Sequence, residues 1–100
     1  LHPDIMTCEP NSLIGTGRIA GGDYIRASTE AVKSVSPGTM VLQAAGISTG
    51  QDVYDAIHYG GDATGGTSGI VCAGDPEAKL EEMFEALGRV RADIQGEARP

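Results

Sequence analysis

The sequence predicts an α/β fold in which short parallel strands alternate with helices. Two apolar stretches, near residues 4–8 and 39–43, and a weaker third at 63–66 each precede residues with turn or helix signals. Strands that alternate with helices are typical of a parallel sheet. No linker or low-complexity tract interrupts the alternation, so residues 1–100 are predicted to lie in one domain.

The first strand, residues 4–8, leads directly into Glu9 and Pro10. Pro10 stiffens the exit from the strand, whereas Gly15 and Gly17 supply the backbone freedom that a moving loop needs. A carboxylate between an apolar strand and a hinged loop suits general-base chemistry under a lid. Glu9 is therefore the candidate catalytic base, and a surface carboxylate in a turn is the alternative.

The next unit comprises a helix at residues 24–35, closed by Pro37 and Gly38, and a buried strand at 39–43. One face of this helix carries Ile25, Ser28, Thr29, Val32 and Val35.

Ser48 and Gln51 fit a capping box, which predicts a second helix that runs to Tyr59 and stops at the following glycines. The third strand is the weakest, because Gly65 and Gly66 have little β propensity and no side chain to pack.

The last helix has the clearest signals, with Asp75 at the cap and Pro76 at the first helical position. It is predicted to cover the outside of the sheet, and residues 95–100 are predicted to fray. Its apolar stripe comprises Leu80, Met83, Phe84, Leu87, Val90 and Ile94.

Composition narrows the function classes. The net charge is −7, the lysines and arginines form no basic stripe, and aromatic residues are few, which argues against nucleic-acid binding. No apolar run is long enough to cross a bilayer. Cys8 and Cys72 lack metal-type spacing and are expected to be reduced thiols, so we expect a cytoplasmic protein.

Three ordered segments together resemble the triosephosphate isomerase family, most closely its archaeal-type members. Residues 9–17 are similar to that family's catalytic Glu-Pro and closing loop, 44–50 to its loop after strand seven, and 67–71 to its loop after strand eight. The resemblance implies a partial TIM (β/α)₈ barrel of three βα units with parallel strands. A complete barrel needs about 250 residues, so the chain is expected to be the C-terminal part of a single barrel domain.

The resemblance also implies the chemistry, an aldose–ketose isomerisation of glyceraldehyde 3-phosphate and dihydroxyacetone phosphate that needs no cofactor or metal. Glu9 would move the proton, and backbone N–H groups of small residues would hold the substrate phosphate. The implied phosphate-binding residues are Gly15, Gly46, Ile47, Ser68 and Gly69. Implied partners are the phosphorylated sugar, the N-terminal half of the barrel or a second copy of the chain, and a homo-oligomer is expected.

The chain departs from the family where it lacks units that would carry a lysine, an electrophilic histidine and an acidic residue. Residues 11–12 also replace bulkier lid residues. The isolated chain is therefore expected to be inactive or nearly so. Alternatives are an isomerase of another sugar phosphate, such as a tetrulose phosphate, and a non-catalytic truncated scaffold that self-associates to bury its open sheet edges.

Two other interpretations fit less well. Residues 15–20 match a G-x-G-x-x-A dinucleotide pattern, but the first glycine does not directly follow the strand and Gln43 stands where an acidic residue is needed. A nucleophilic pair of Cys8 with His2 or His58 is conceivable, but Cys8 occupies a position suited to strand packing.

Overall fold

A computed structural model describes residues 1–9, 21–44 and 46–98 of the chain. Within them the elements follow in order as β1 (Ile5–Cys8), α1 (Gly22–Val35), β2 (Met40–Gln43), α2 (Gly50–His58), β3 (Ala63–Thr64), α3 (Ser68–Val71) and α4 (Pro76–Ala98). The predicted α/β fold is confirmed. Boundaries agree within two residues for most elements. α4 remains helical to Ala98, so the prediction of a frayed end was wrong for residues 95–98, and residues 99–100 lie outside the described ranges.

The sheet has three strands in the order β1-β2-β3, and both pairings are parallel. Ile5 is opposite Met40 in the first pairing, and Leu42 is opposite Ala63 in the second. β3 has only two residues, as the glycines that follow it predicted. Asp62 extends this pairing, because its N–H donates to the Val41 carbonyl and its carboxylate accepts from the Val41 N–H.

The two faces of the sheet differ in how well they are covered. Val41 is fully buried and Gln43 is 2% exposed. The Gln43 amide donates to the hydroxyls of Ser28 and Thr29, which places α1 over this face. Because side chains alternate along a strand, those of Met40 and Leu42 point to the opposite face.

On that opposite face Leu42 is half-buried, but the apolar side chains nearer the start of the strands remain open to solvent. Ile5 is 56% exposed and its cross-strand neighbour Met40 is 47% exposed. Parallel sheets are normally buried on both faces, so this face is one that a complete barrel would enclose.

The main hydrophobic cluster lies between α2 and α4, with Ile47, Val53, Ala56, Met83 and Ala86 at its centre. α4 therefore packs chiefly on α2. The prediction that α4 covers the outside of the sheet was wrong in part. Met83 and Val90 are buried, but Leu80, Phe84, Leu87 and Ile94 are all more than a third exposed.

No helix in the described ranges is sufficiently long and apolar to span a membrane.

Candidate active site

Glu9 directly follows the carboxyl end of β1 and is exposed to solvent. The Ala44 N–H donates to the Cys8 carbonyl at 3.0 Å, so the β1–β2 pairing continues to the position just before Glu9. The loop after β2 therefore begins beside Glu9, as the parallel register requires.

Tyr24 in the first turn of α1 lies near this end of β1. Burial, and to a smaller extent the electrostatic interaction with Cys8, raises the pKa of the Tyr24 phenol. Sequence reasoning did not identify this neighbour, because nothing in the local pattern indicates which part of α1 returns to β1.

The loops after β2 and β3 are in close backbone contact. A methyl group added at Gly69 would collide with the Ile47 carbonyl oxygen and lie 2.7 Å from the Ser48 Cα, and one added at Gly66 would lie 2.8 Å from the same carbonyl. Glycine at both positions is therefore required for the loops to meet. Of the predicted phosphate-binding residues, Gly46, Ile47, Ser68 and Gly69 are brought to one end of the sheet, and Gly15 lies outside the described residues.

Two of these residues have clear backbone or packing roles. Gly46 adopts a φ of +72°, the left-handed region that favours glycine. The Ile47 side chain is 3% exposed and packs in the cluster between α2 and α4, which leaves its backbone to form the turn. Ser68 and Gly69 begin the short helix α3.

The N-terminus of α2 is capped by carboxylates. The predicted capping box of Ser48 with Gln51 was wrong by one residue. Thr49 is the N-cap, its hydroxyl accepts from the Asp52 N–H, and the Asp52 carboxylate accepts from the Thr49 and Ser48 N–H groups. The reason is that Asp52 is three residues after Thr49, the spacing that closes the reciprocal bonds.

Glu82 reaches the same helix end from α4. Its carboxylate accepts from the Gly50 N–H at 2.5 Å, and a methyl at Gly50 would lie 3.0 Å from the Glu82 carbonyl. The hydrogen bond from Gly50, then that from Lys79, lowers the pKa of the Glu82 carboxyl. No local sequence signal could have found this contact, since 32 residues separate the partners.

These bonds limit where an anion can bind. The N–H groups of Ser48, Thr49 and Gly50 already donate to carboxylates. An anion at this end of the sheet therefore has to bind amides other than those of Ser48, Thr49 and Gly50.

The histidines do not support a nucleophilic site at Cys8. His2 precedes β1 and its ring bonds to the Ser36 hydroxyl, while His58 ends α2 and stacks on Tyr54. Both therefore lie toward the amino ends of the strands, and Cys8 lies at the carboxyl end. Cys8 is half-buried with a free thiol, which agrees with a packing role. Across the described ranges, no group of His, Cys, Asp and Glu side chains is arranged to hold a metal ion.

Comparison with curated proteins identifies relatives for most of the chain. Triosephosphate isomerases of Methanosarcina acetivorans and Methanothermus fervidus are 41% and 40% identical to it over 90 residues, and that of Methanopyrus kandleri is 40% identical over the same length. The chain is homologous to part of the archaeal triosephosphate isomerases. In each case the match covers 87% of this chain and 40% of the relative, so the chain spans well under half of their length.

A solved structure agrees on the fold. The chain superimposes with a TM-score of 0.73 on part of the Amycolatopsis orientalis BexX/CysO complex, at 23% identity, and the match covers 96% of this chain and 36% of the other. No protein-family model matches the sequence. The α/β architecture with three parallel strands thus corresponds to part of a TIM barrel, as predicted.

Proposed function

We propose that residues 1–100 form the catalytic-base and phosphate-binding part of a triosephosphate isomerase barrel. In the complete barrel the reaction is the interconversion of glyceraldehyde 3-phosphate and dihydroxyacetone phosphate. The observation that carries the proposal is the contact of Gly69 with the Ile47 carbonyl, which joins the loops of two neighbouring strands at the end of the sheet that Glu9 follows. Homology to triosephosphate isomerases supports the same assignment.

The proposed role of Glu9 is that of general base. A carboxylate beside the substrate can take a proton from one carbon and return it to the next, and its basicity increases when a closing loop removes water. Both carbons lie within one substrate, so a single carboxylate can serve both transfers.

The phosphate is proposed to bind the backbone amides of Gly46, Ile47, Ser68 and Gly69, with Gly15 closing from the lid. Glycines let the backbone approach the phosphate oxygens, and oriented N–H dipoles stabilise its negative charge. Sites after strands seven and eight are the usual phosphate position in TIM barrels. The amides capped by Asp52 and Glu82 are excluded from this role by their existing bonds.

Other features of the complete protein are part of this proposal. We expect a cytoplasmic homo-oligomer that acts in glycolysis and gluconeogenesis on a small phosphorylated sugar. The electrophilic and orienting groups would come from the remaining barrel units.

A chimeric barrel tests the proposal. This chain would replace the matched segment of the Methanosarcina acetivorans triosephosphate isomerase, and isomerisation would be assayed in both directions. We expect an active chimera in which Glu9→Gln lowers kcat by about 10² to 10⁴-fold, the usual contribution of a general base. Glu30→Gln, an equivalent change at an exposed position on α1, should leave kcat within about twofold.

Circular dichroism and binding of a phosphate-bearing substrate analogue provide the folding control. A folded chimera that binds the analogue but isomerises equally well with Gln at position 9 would refute the role of Glu9. A folded chimera that neither binds nor isomerises sugar phosphates would favour the non-catalytic scaffold.

A further inference from the structure

The start of α2 is tied to α4 by the side chain of Glu82. Gly50 is the first helical residue of α2 and is buried, and the first N–H groups of a helix have no acceptor within it. The Glu82 carboxylate accepts the Gly50 N–H at 2.5 Å. The Ser48 and Thr49 N–H groups bond instead to Asp52 of α2 itself. The Glu82 bond therefore fixes the helix start relative to another element.

The surroundings of Glu82 orient its carboxylate toward α2. One carboxylate oxygen accepts from Gly50, and the other accepts from Lys79, whose Nζ lies 3.3 Å away. A methyl group added at Gly50 would lie 3.0 Å from both the Cγ and the carbonyl oxygen of Glu82. Glycine at position 50 thus lets α4 approach closely enough for the bond to form.

The Glu82 carboxylate keeps its charge at neutral pH. The hydrogen bond from Gly50 and then that from Lys79 lower the pKa of the Glu82 carboxyl below its ordinary value of 4.5. A hydrogen bond from an N–H group to an ionised carboxylate is shorter and stronger than one between neutral groups.

The loop that leads to Gly50 is held by α4 at a second position. The Ile47 side chain is 3% exposed and belongs to the same cluster as Met83, the residue after Glu82. The Ile47 carbonyl oxygen lies against Gly69 of the loop after β3. Residues 46–50 are therefore held between α4 on one side and the loop after β3 on the other.

We propose that Glu82 is a positioning residue for the phosphate site. Through Gly50 it fixes the loop at residues 46–50, so that the Gly46 and Ile47 amides are held where the phosphate binds. The inference rests on the proposed function, because it assumes that these amides bind the phosphate. Glu82 touches no substrate in this arrangement. A binding group misplaced by about 1 Å can reduce the rate of a reaction about 10²-fold, so a remote anchor of this kind affects the site.

The test uses the chimeric barrel and its phosphate-bearing substrate analogue. We expect Glu82→Ala to raise KM and the Kd of the analogue by about tenfold and to change kcat by no more than about threefold, as for lost ground-state binding. Glu82→Met keeps the length of the side chain without the acceptor and should have the same effect. Glu82→Gln keeps an acceptor oxygen for Gly50 and should remain within about threefold of wild type.

Two control variants separate positioning from charge and from general stability. Glu81→Ala removes the same charge from an exposed side chain that helical geometry turns about 100° away, and should change Kd by no more than about twofold. Val90→Ala removes a side chain that is 1% exposed, about 12 Å further along α4. It should lower the stability of the chain but leave Kd unchanged.

Nuclear magnetic resonance of the chain alone tests the positioning without activity. We expect Glu82→Ala to speed hydrogen exchange of the Gly50 amide by about tenfold or more and to shift the amide resonances of Gly46 and Ile47. Glu81→Ala should leave all three amides unchanged. Circular dichroism checks that each variant remains folded.

The possible outcomes distinguish this inference from the proposed function. The inference alone is overturned if folded Glu82→Ala and Glu82→Met chimeras bind the analogue as tightly as wild type, or if the Gly46 and Ile47 resonances do not move. It is also overturned if Val90→Ala raises Kd as much as Glu82→Ala, because general loosening would then explain both. A folded wild-type chimera that binds no analogue would overturn the proposed function, and the inference with it.

Discussion

The two faces of the three-stranded sheet differ in how far other elements bury them. On the face that carries Val41 and Gln43, α1 covers β2, and its hydroxyls accept hydrogen bonds from the Gln43 amide, although Met6 of β1 is 40% exposed there. The opposite face leaves Ile5 and Met40 exposed. Among the described residues, α1 thus covers the side chains of β2 on one face, whereas Ile5 and Met40 remain uncovered on the other.

The largest predicted difference in the free energy of unfolding is between isoleucine-to-alanine substitutions on the two faces. Ile25→Ala in α1, where the side chain is 1% exposed, should lower the free energy of unfolding by about 2–5 kcal/mol, because it leaves a cavity under the covered face. Ile5→Ala on the open face should lower it by less than about 0.5 kcal/mol. Urea unfolding followed by circular dichroism measures both.

The contrast becomes sharper once the barrel is completed. In the chimera with the Methanosarcina acetivorans segment, Ile5 should become buried, and Ile5→Ala should then have an effect that approaches that of Ile25→Ala. An unchanged small effect in a folded chimera would show that the open face is not a barrel interior.

A smaller effect is expected where the loops at the carboxyl ends of the strands meet. Gly69→Ala should lower the free energy of unfolding by about 1–3 kcal/mol, because the added methyl displaces the Ile47 carbonyl. Gly74→Ala is the matched control, since no atom lies within 4 Å of its added methyl. In the chimera, Gly69→Ala should also weaken binding of a phosphate analogue more than it changes kcat, and equal affinities for the two variants would contradict the proposed phosphate site.

The smallest predicted effect concerns pH. Partial burial by itself raises the pKa of Asp62, but hydrogen bonds from Lys33 and the Val41 N–H and the Lys33 charge outweigh it, so the pKa is lowered from 3.8. A lowered folded-state pKa gives stability that is present above the ordinary value and lost as pH falls through the folded value. Asp62→Asn should therefore flatten the decrease in stability below about pH 4, as measured by urea unfolding at several pH values.

Lys33→Met is the complementary variant. It removes the ion pair at 2.7 Å, so the folded-state pKa of Asp62 should return toward its ordinary value, and the decrease in stability on acidification should become shallower, as for Asp62→Asn. If both variants retain the wild-type pH profile, Asp62 does not stabilise the β2–β3 pairing through its charge.

Some residues of the candidate site could be predicted from the sequence and others could not. The run from Cys8 to Gly17 and the later glycine-rich loops predicted a base and a phosphate loop at the ends of successive strands, and the parallel register places Glu9 and the loop after β2 side by side. Glu82 could not be predicted, because its bond to Gly50 depends on how α4 packs on α2. That long-range contact removes the Gly50 amide from those that an anion could bind.

The sequence by itself determined the order of strands and helices, the cap at Asp75, the weakness of β3 and the resemblance to triosephosphate isomerases. These depend on local propensity and on the order of motifs along the chain, which are contained in neighbouring residues. The tertiary structure alone decided that Gly69 meets the Ile47 carbonyl and that Phe84 faces an open groove. Each of those depends on the relative placement of elements distant in sequence, which packing fixes and local pattern does not encode.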